Sequence, residues 1–166
     1  MTLRSGDPGP AAEVRGLIAP TALGDLLLPT AAVAEVVAYA GEAHTRKGGP
    51  EWLAGNLDWR GQQVPLIDLG ADAHGGTAQG DAGPRRRHPC ALICFTPSGN
   101  RALPYLAFLV ADSPRLIRIR ADDLTQATSL PKRLFTLHAL EYRGRPAWVP
   151  DFDRIEQQWL LLAPGG

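Results

Sequence analysis

The chain is poor in reactive and charged features. Its 166 residues include only two cysteines, Cys90 and Cys94. Four apart on a strand, these face the same way and lie too far apart along it for a normal mutual disulfide. They read as small buried apolar residues of a reduced protein. His88 shares their parity, but Pro89 interrupts the strand, and structural zinc normally takes a fourth ligand and a more familiar spacing, so no metal site is expected. Seventeen basic residues balance seventeen acidic ones. That leaves no basic face of the kind that grips DNA or RNA. The one basic run, Arg85-Arg86-Arg87, sits among glycines and reads as a solvated cluster. No apolar run approaches the roughly 20 residues that cross a bilayer, and the first fifteen residues lack the apolar centre of a secretory signal. A cytoplasmic location without membrane insertion is therefore expected.

Chemistry-bearing motifs are also missing. There is no GxxxxGK phosphate loop, no GxGxxG after a strand and no His-Glu-x-x-His helix. Asp112-Ser113 and His138 with Asp151 or Asp153 make a nucleophile, base and orienter on paper, as chance does in most chains of this size. The adjacent acids Asp122-Asp123 read as a turn or the start of a helical segment, because neighbours in sequence do not face one another as an acid and base pair must. An enzyme using His138 or Cys94 would need a deep polar pocket around one of them. The expectation is a non-enzymatic protein with no cofactor.

What remains is an ordinary globular balance, 45% apolar and 20% charged, in a chain long enough to bury one domain's core. Its most informative stretch is Trp52 to Asp68, a hairpin pattern with an echo. Leu57-Asp58-Trp59-Arg60-Gly61 matches Leu140-Glu141-Tyr142-Arg143-Gly144 in type, and Val64-Pro65 and Val149-Pro150 follow. Each half would close with a hairpin turned at an Arg-Gly step, the glycine supplying positive φ. Leu57 and Trp59 share one parity and Asn56 and Asp58 the other, the alternation of a half-buried strand.

Further strands are expected at 26–28, 33–39, 90–96, 102–111, 116–119, 136–142 and 145–149, with a single helical turn that Thr30 can cap after Pro29. Both parities of Ala91-Leu92-Ile93-Cys94-Phe95 are apolar, so this strand should be covered on both faces. Asp151 is a good N-cap for a helix whose Phe152, Ile155, Trp159 and Leu162 form one apolar stripe, expected to dock on the second half with Trp159 enclosed. Residues 70–89 carry no large apolar side chain and read as a flexible loop. Many short strands and one terminal helix argue for two small barrels sharing a core.

These residues also carry a resemblance. Val33-Ala34-Glu35-Val36, a proline loop, Trp52-Leu53-x-Gly55, the Leu57 to Gly61 turn and Val64-Pro65-Leu66-Ile67-Asp68-Leu69 follow in an order that resembles the CheW-like family of chemosensory coupling proteins. Phe108-Leu109-Val110-Ala111-Asp112-Ser113 is similar to that family's Val-Asp-Ser segment, and the likeness spans Gly16 to Trp159. It implies an all-β fold of two SH3-like five-stranded β-barrels sharing a core, with a C-terminal α-helix. The barrels would be divided as 16–69 and 90–160, the second including the helix, with tails at 1–15 and 161–166. It implies a chemotaxis-type adaptor joining chemoreceptor cytoplasmic tips to the regulatory domain of a CheA-type histidine kinase, in receptor arrays at the inner face of the membrane. The other reading is an SH3-like-barrel interaction module in a different regulatory assembly.

By motif position the partner-binding surface falls on Val33, Glu35, Gly55, Arg60 and Gly61. Arg60 is the principal candidate, a planar guanidinium at a hairpin tip suited to a carboxylate or backbone carbonyls. Asp58 stands where the family commonly has Asn, and Pro114 interrupts the second motif, which puts a kinase-facing strand end in question. Trp52 and Trp59 also resemble the pattern in CheW-like proteins of pilus-motility systems.

Overall fold

A computed structural model describes residues 13–21, 24–41, 49–70, 90–131 and 133–162. The loop expected at 70–89 lies, apart from Gly70, outside the described residues. Eleven strands are described: β1 Glu13–Pro20, β2 Asp25–Pro29, β3 Val33–Ala38, β4 Leu53–Trp59, β5 Gln62–Ile67, β6 Cys90–Phe95, β7 Tyr105–Val110, β8 Arg115–Arg120, β9 Leu124–Gln126, β10 Thr136–Tyr142 and β11 Arg145–Pro150. The helix α1, Phe152–Leu162, follows. Two predicted ends shift. Glu13 to Arg15 belong to β1 rather than to a tail, because they extend its pairing with β8. Leu161 belongs to α1 rather than to the C-terminal tail.

The strands form two sheets, in the orders β8-β1-β2-β11-β10-β9 and β3-β6-β7-β5-β4, the two SH3-like barrels of this fold. The echo between halves is real, but it does not divide the barrels. In the first barrel, β4 and β5 form a hairpin, β5 runs parallel to β7, β7 pairs with β6, and β6 with β3. In the second, β10 and β11 form a hairpin, β11 runs parallel to β2, β2 pairs with β1, and β1 with β8.

Each half therefore lends its first two strands to the barrel completed by the other, so the expected division at 16–69 and 90–160 is corrected to an interleaved one. The physical reason lies at Pro29. There a three-residue 3-10 turn, Thr30–Ala32, joins β2 of one sheet directly to β3 of the other, so the chain crosses between the barrels at this point. Thr30 does not cap that turn; its hydroxyl donates to the Arg15 carbonyl at 3.3 Å.

Exchange of strands explains why some strands are apolar on both faces. Leu92 and Cys94 of β6, with Leu106, Phe108 and Val110 of β7, enter a core shared with Leu17, Ala19, Leu26 and Leu28 of the other sheet. From the opposite faces of the same two strands, Ala91, Ile93, Ala107 and Leu109 fill the first barrel around Trp59 and Val64. A smaller cluster, Ile18, Leu27 and Ala147, fills the second barrel. The helix starts where expected, with the Arg154 amide donating to Asp151 Oδ1 at 3.0 Å. Ile155 is buried, and Phe152, Trp159 and Leu162 pack on the shared core, Phe152 meeting Phe108 edge to face. The stripe thus covers the junction of both barrels, and Trp159 is half-buried rather than enclosed.

Candidate functional site

The β4–β5 pairing places Trp59 opposite Gln62 and leaves Arg60-Gly61 as a two-residue loop. Such a loop matches the twist of its strands when both residues have positive φ, a type I′ turn. Arg60 has φ 50° and Gly61 φ 75°. The glycine meets this need without a Cβ, but an arginine in the left-handed region is strained by about 1–2 kcal/mol, so something must hold it there. Arg60 Nη2 lies 2.8 Å from Glu35 Oε2, and its guanidinium sits 4.9 Å from the centre of the Trp59 ring. The Trp59 indole N–H donates to the same Glu35 oxygen at 3.0 Å.

The sheet order sets the importance of this cluster. Glu35 is on β3 and Trp59 on β4, the two edge strands of the five-stranded sheet. One carboxylate therefore ties both edges of the first barrel together. Trp59 is buried and packs edge to face on Tyr105, with ring centres 4.8 Å apart, so the polar seam rests on a stiff aromatic base. The Arg60 side chain remains 70% exposed.

Of the five motif positions, the structure gathers Glu35, Arg60 and Gly61 at this seam and gives the other two different work. Val33 is half-buried against the shared core. Gly55 is buried at a bulge in β4 with φ 141°, a conformation that favours glycine. Sequence reasoning missed Trp59 as a member of the seam, and it also missed Arg60's own positive φ. The signal was available: a two-residue loop between paired strand ends asks for positive φ at both positions.

Asp58 sits on the outer face, where its carboxylate accepts from Gln63 directly across the hairpin. Pro114 is half-buried immediately before β8, which forms in full. Both indoles of the tryptophan pattern are packing groups, Trp52 against Phe135 at 4.9 Å and Trp59 as above.

The catalytic triple is not assembled. The Asp112 carboxylate accepts the Ser113 amide at 2.7 Å, and Asp151 caps α1. His138 is exposed beside a cavity of about 470 Å³ whose charged lining, among the described residues, is Arg133 and Arg154, with no carboxylate among them to orient an imidazole. Cys94 is fully buried, and burial pushes its thiol well above the ordinary range, away from the nucleophilic thiolate.

The comparisons with known proteins agree with this architecture. The family model described as CheW-like domain matches residues 16–158. Among solved structures, the chain is similar to the scaffolding protein TtCheW from Thermoanaerobacter tengcongensis, with a TM-score of 0.60 at 16% identity, covering 84% of this chain and 89% of that one. No curated protein matches by sequence. The interleaved two-barrel fold and the family match over most of the chain make this protein a member of the CheW-like domain family, a non-enzymatic scaffold of the chemotaxis type.

Proposed function

We propose that this adaptor couples chemoreceptors to a CheA-type histidine kinase through the seam of its first barrel, in receptor arrays at the inner face of the membrane. The observation that carries the reading is the exposed Arg60 guanidinium, held by Glu35 and stacked on a buried tryptophan. An interface arginine gains affinity when its fork is fixed before the partner arrives, because less side-chain entropy is lost on binding. Glu35 would act through Arg60, while Gly61 leaves open space above the turn for close approach. Val33 and Gly55 would support the surface by fixing the backbone beneath it.

The test is titration of the wild type, Arg60→Ala and Arg143→Ala against a kinase regulatory domain and a receptor tip. Arg60→Ala should weaken one of the two by about 1–2 kcal/mol, with Arg143→Ala near wild type. Equal binding by both variants would move the surface away from this turn. Failure to bind either partner, with capture of another helical one, would favour the module in a different regulatory assembly.

A further inference from the structure

The second barrel carries a surface that the seam reading does not use. Its edge strand β8 reads Arg115-Leu116-Ile117-Arg118-Ile119-Arg120, and among the described residues it pairs only with β1. Ile117 and Ile119 point inward to the small core of that barrel. Leu116 is 76% exposed. Arg118 and Arg120 also face solvent. Arg15 lies directly opposite Arg118 across the β1–β8 pair. Like charges so placed repel one another. Glu13 is the one carboxylate paired here among the described residues, 3.3 Å from Arg118 and 3.4 Å from Arg120, which leaves Arg15 and Arg115 without an acidic partner. Between the facing arginines lies a groove of about 440 Å³ lined by Arg15, Thr30, Leu116, Ile117 and Arg118. A chain with no net charge thus gathers three guanidinia, of Arg15, Arg118 and Arg120, and the Glu13 carboxylate on the face of an exposed leucine.

We propose that β8 docks an extended acidic segment of a protein partner by strand addition, with an apolar side chain over Leu116 and carboxylates at alternate positions beside Arg118 and Arg120. The Arg120 amide is already taken by the Asp123 carboxylate at 3.1 Å, so the open edge is the stretch before it, where backbone N–H and C=O groups can take a strand whose alternate side chains fall on the same face as Leu116, Arg118 and Arg120. One carboxylate between Arg15 and Arg118 would relieve their repulsion, so charge complementarity selects the occupant. A second copy of β8 is disfavoured, since it would set arginine against arginine. The chain's own remaining segments do not suit either: residues 1–12, 42–48 and 71–89 contain Asp7, Glu42, Asp72 and Asp81 as isolated acids, alongside Arg4, Arg46, Lys47 and the Arg85 to Arg87 run.

The experiment titrates the full chain with a short synthetic peptide alternating threonine with leucine, glutamate and glutamate, following backbone amides by NMR. Saturable shifts centred on 115–120 are expected. Arg15→Gln and Arg118→Gln should each weaken binding by about ten-fold or more, as should added salt. The unfolding midpoint of Arg15→Gln should match or exceed the wild type, because it removes the facing charge, and that of Arg118→Gln should stay close to the wild type, because the exposed pair with Glu13 that it gives up is worth little. A midpoint clearly below the wild type would show that the arginines serve the fold and would overturn the proposal. So would unchanged affinity in both variants, equal binding of the lysine version of the peptide, or shifts centred on the β3–β4 seam. Binding to phosphatidylserine vesicles through the same arginines, without peptide binding, would reassign the surface to a lipid and overturn it too.

Discussion

The two Arg-Gly turns are near copies in local geometry and differ in what they hold together. Arg143 and Gly144 have φ 50° and 77°, beside 50° and 75° in the first turn. Arg143 lies 5.2 Å from the Tyr142 ring centre and 3.0 Å from Asp123, so each turn arginine has an aromatic beneath it and a carboxylate beside it. In the second barrel that carboxylate stands on a three-residue 3-10 turn, Ala121–Asp123, which already joins the edge strands β8 and β9 through the chain itself. The Arg143 amide bonds the Asp123 carbonyl there as well. In the first barrel no such short link joins β3 to β4, and Glu35 spans the gap with its side chain. The same turn is a local decoration in one barrel and the clasp of an open seam in the other.

That contrast can be tested most strongly at the aromatics. Trp59→Ala empties a buried site and should cost about 3–5 kcal/mol. Tyr142, only half-buried, should cost about 1–2 kcal/mol on truncation. Equal urea midpoints for the two variants would break the asymmetry. Glu35→Ala comes next. It leaves the Trp59 indole N–H unpaired in a largely buried place, a loss of about 1–3 kcal/mol, and hydrogen exchange should show faster opening confined to β3 and β4.

Gly61→Ala and Gly144→Ala sharpen the part of the comparison in which the turns are alike. Nothing lies near either added Cβ, so both should cost the same left-handed strain, about 1–2 kcal/mol. A large difference in thermal midpoints would mean that the turns are not equivalent. Arg60→Ala should cost less, under about 1 kcal/mol, since it removes an exposed ion pair and leaves the Trp59 bond to Glu35 in place.

The smallest effect concerns acid. The hydrogen bond from Arg143, with that from the Arg120 amide, holds Asp123 below its ordinary carboxylate range. A carboxyl so depressed contributes stability above its unfolded pKa and loses it as pH falls through the folded value. The stability gap between the wild type and Asp123→Asn should therefore be constant near neutrality and shrink only below about pH 4, as followed by thermal melts across that range. A gap that shrinks as pH rises from neutrality would contradict the Arg143 assignment.

Much of this molecule was legible before its coordinates. Alternation in Leu57 and Trp59, apolar residues at both parities of Ala91 to Cys94, and the Asp151 cap each report a local rule, and each held because burial and capping depend on near neighbours; Phe95, at the end of its strand, is exposed instead. Other features depended on distant ones. Pairing of β2 with β11 and of β5 with β7 joins residues far apart in the chain, and no periodicity records which parallel partner a strand will take. β1 and the short β9 were missed for the same reason: β1 is strand through β2 and β8, and the three residues of β9 only through β10. At the candidate site, the family-like motif named Glu35, Arg60 and Gly61, yet nothing local could show that Glu35 also holds the Trp59 indole. Sequence by itself determined nine of the eleven described strands, the two echoing Arg-Gly turns and the terminal helix, because those follow from side-chain parity, turn chemistry and capping. Tertiary structure alone decided that the halves exchange strands and that one of two similar turns closes a barrel, because both depend on which distant edges meet once the shared core is buried.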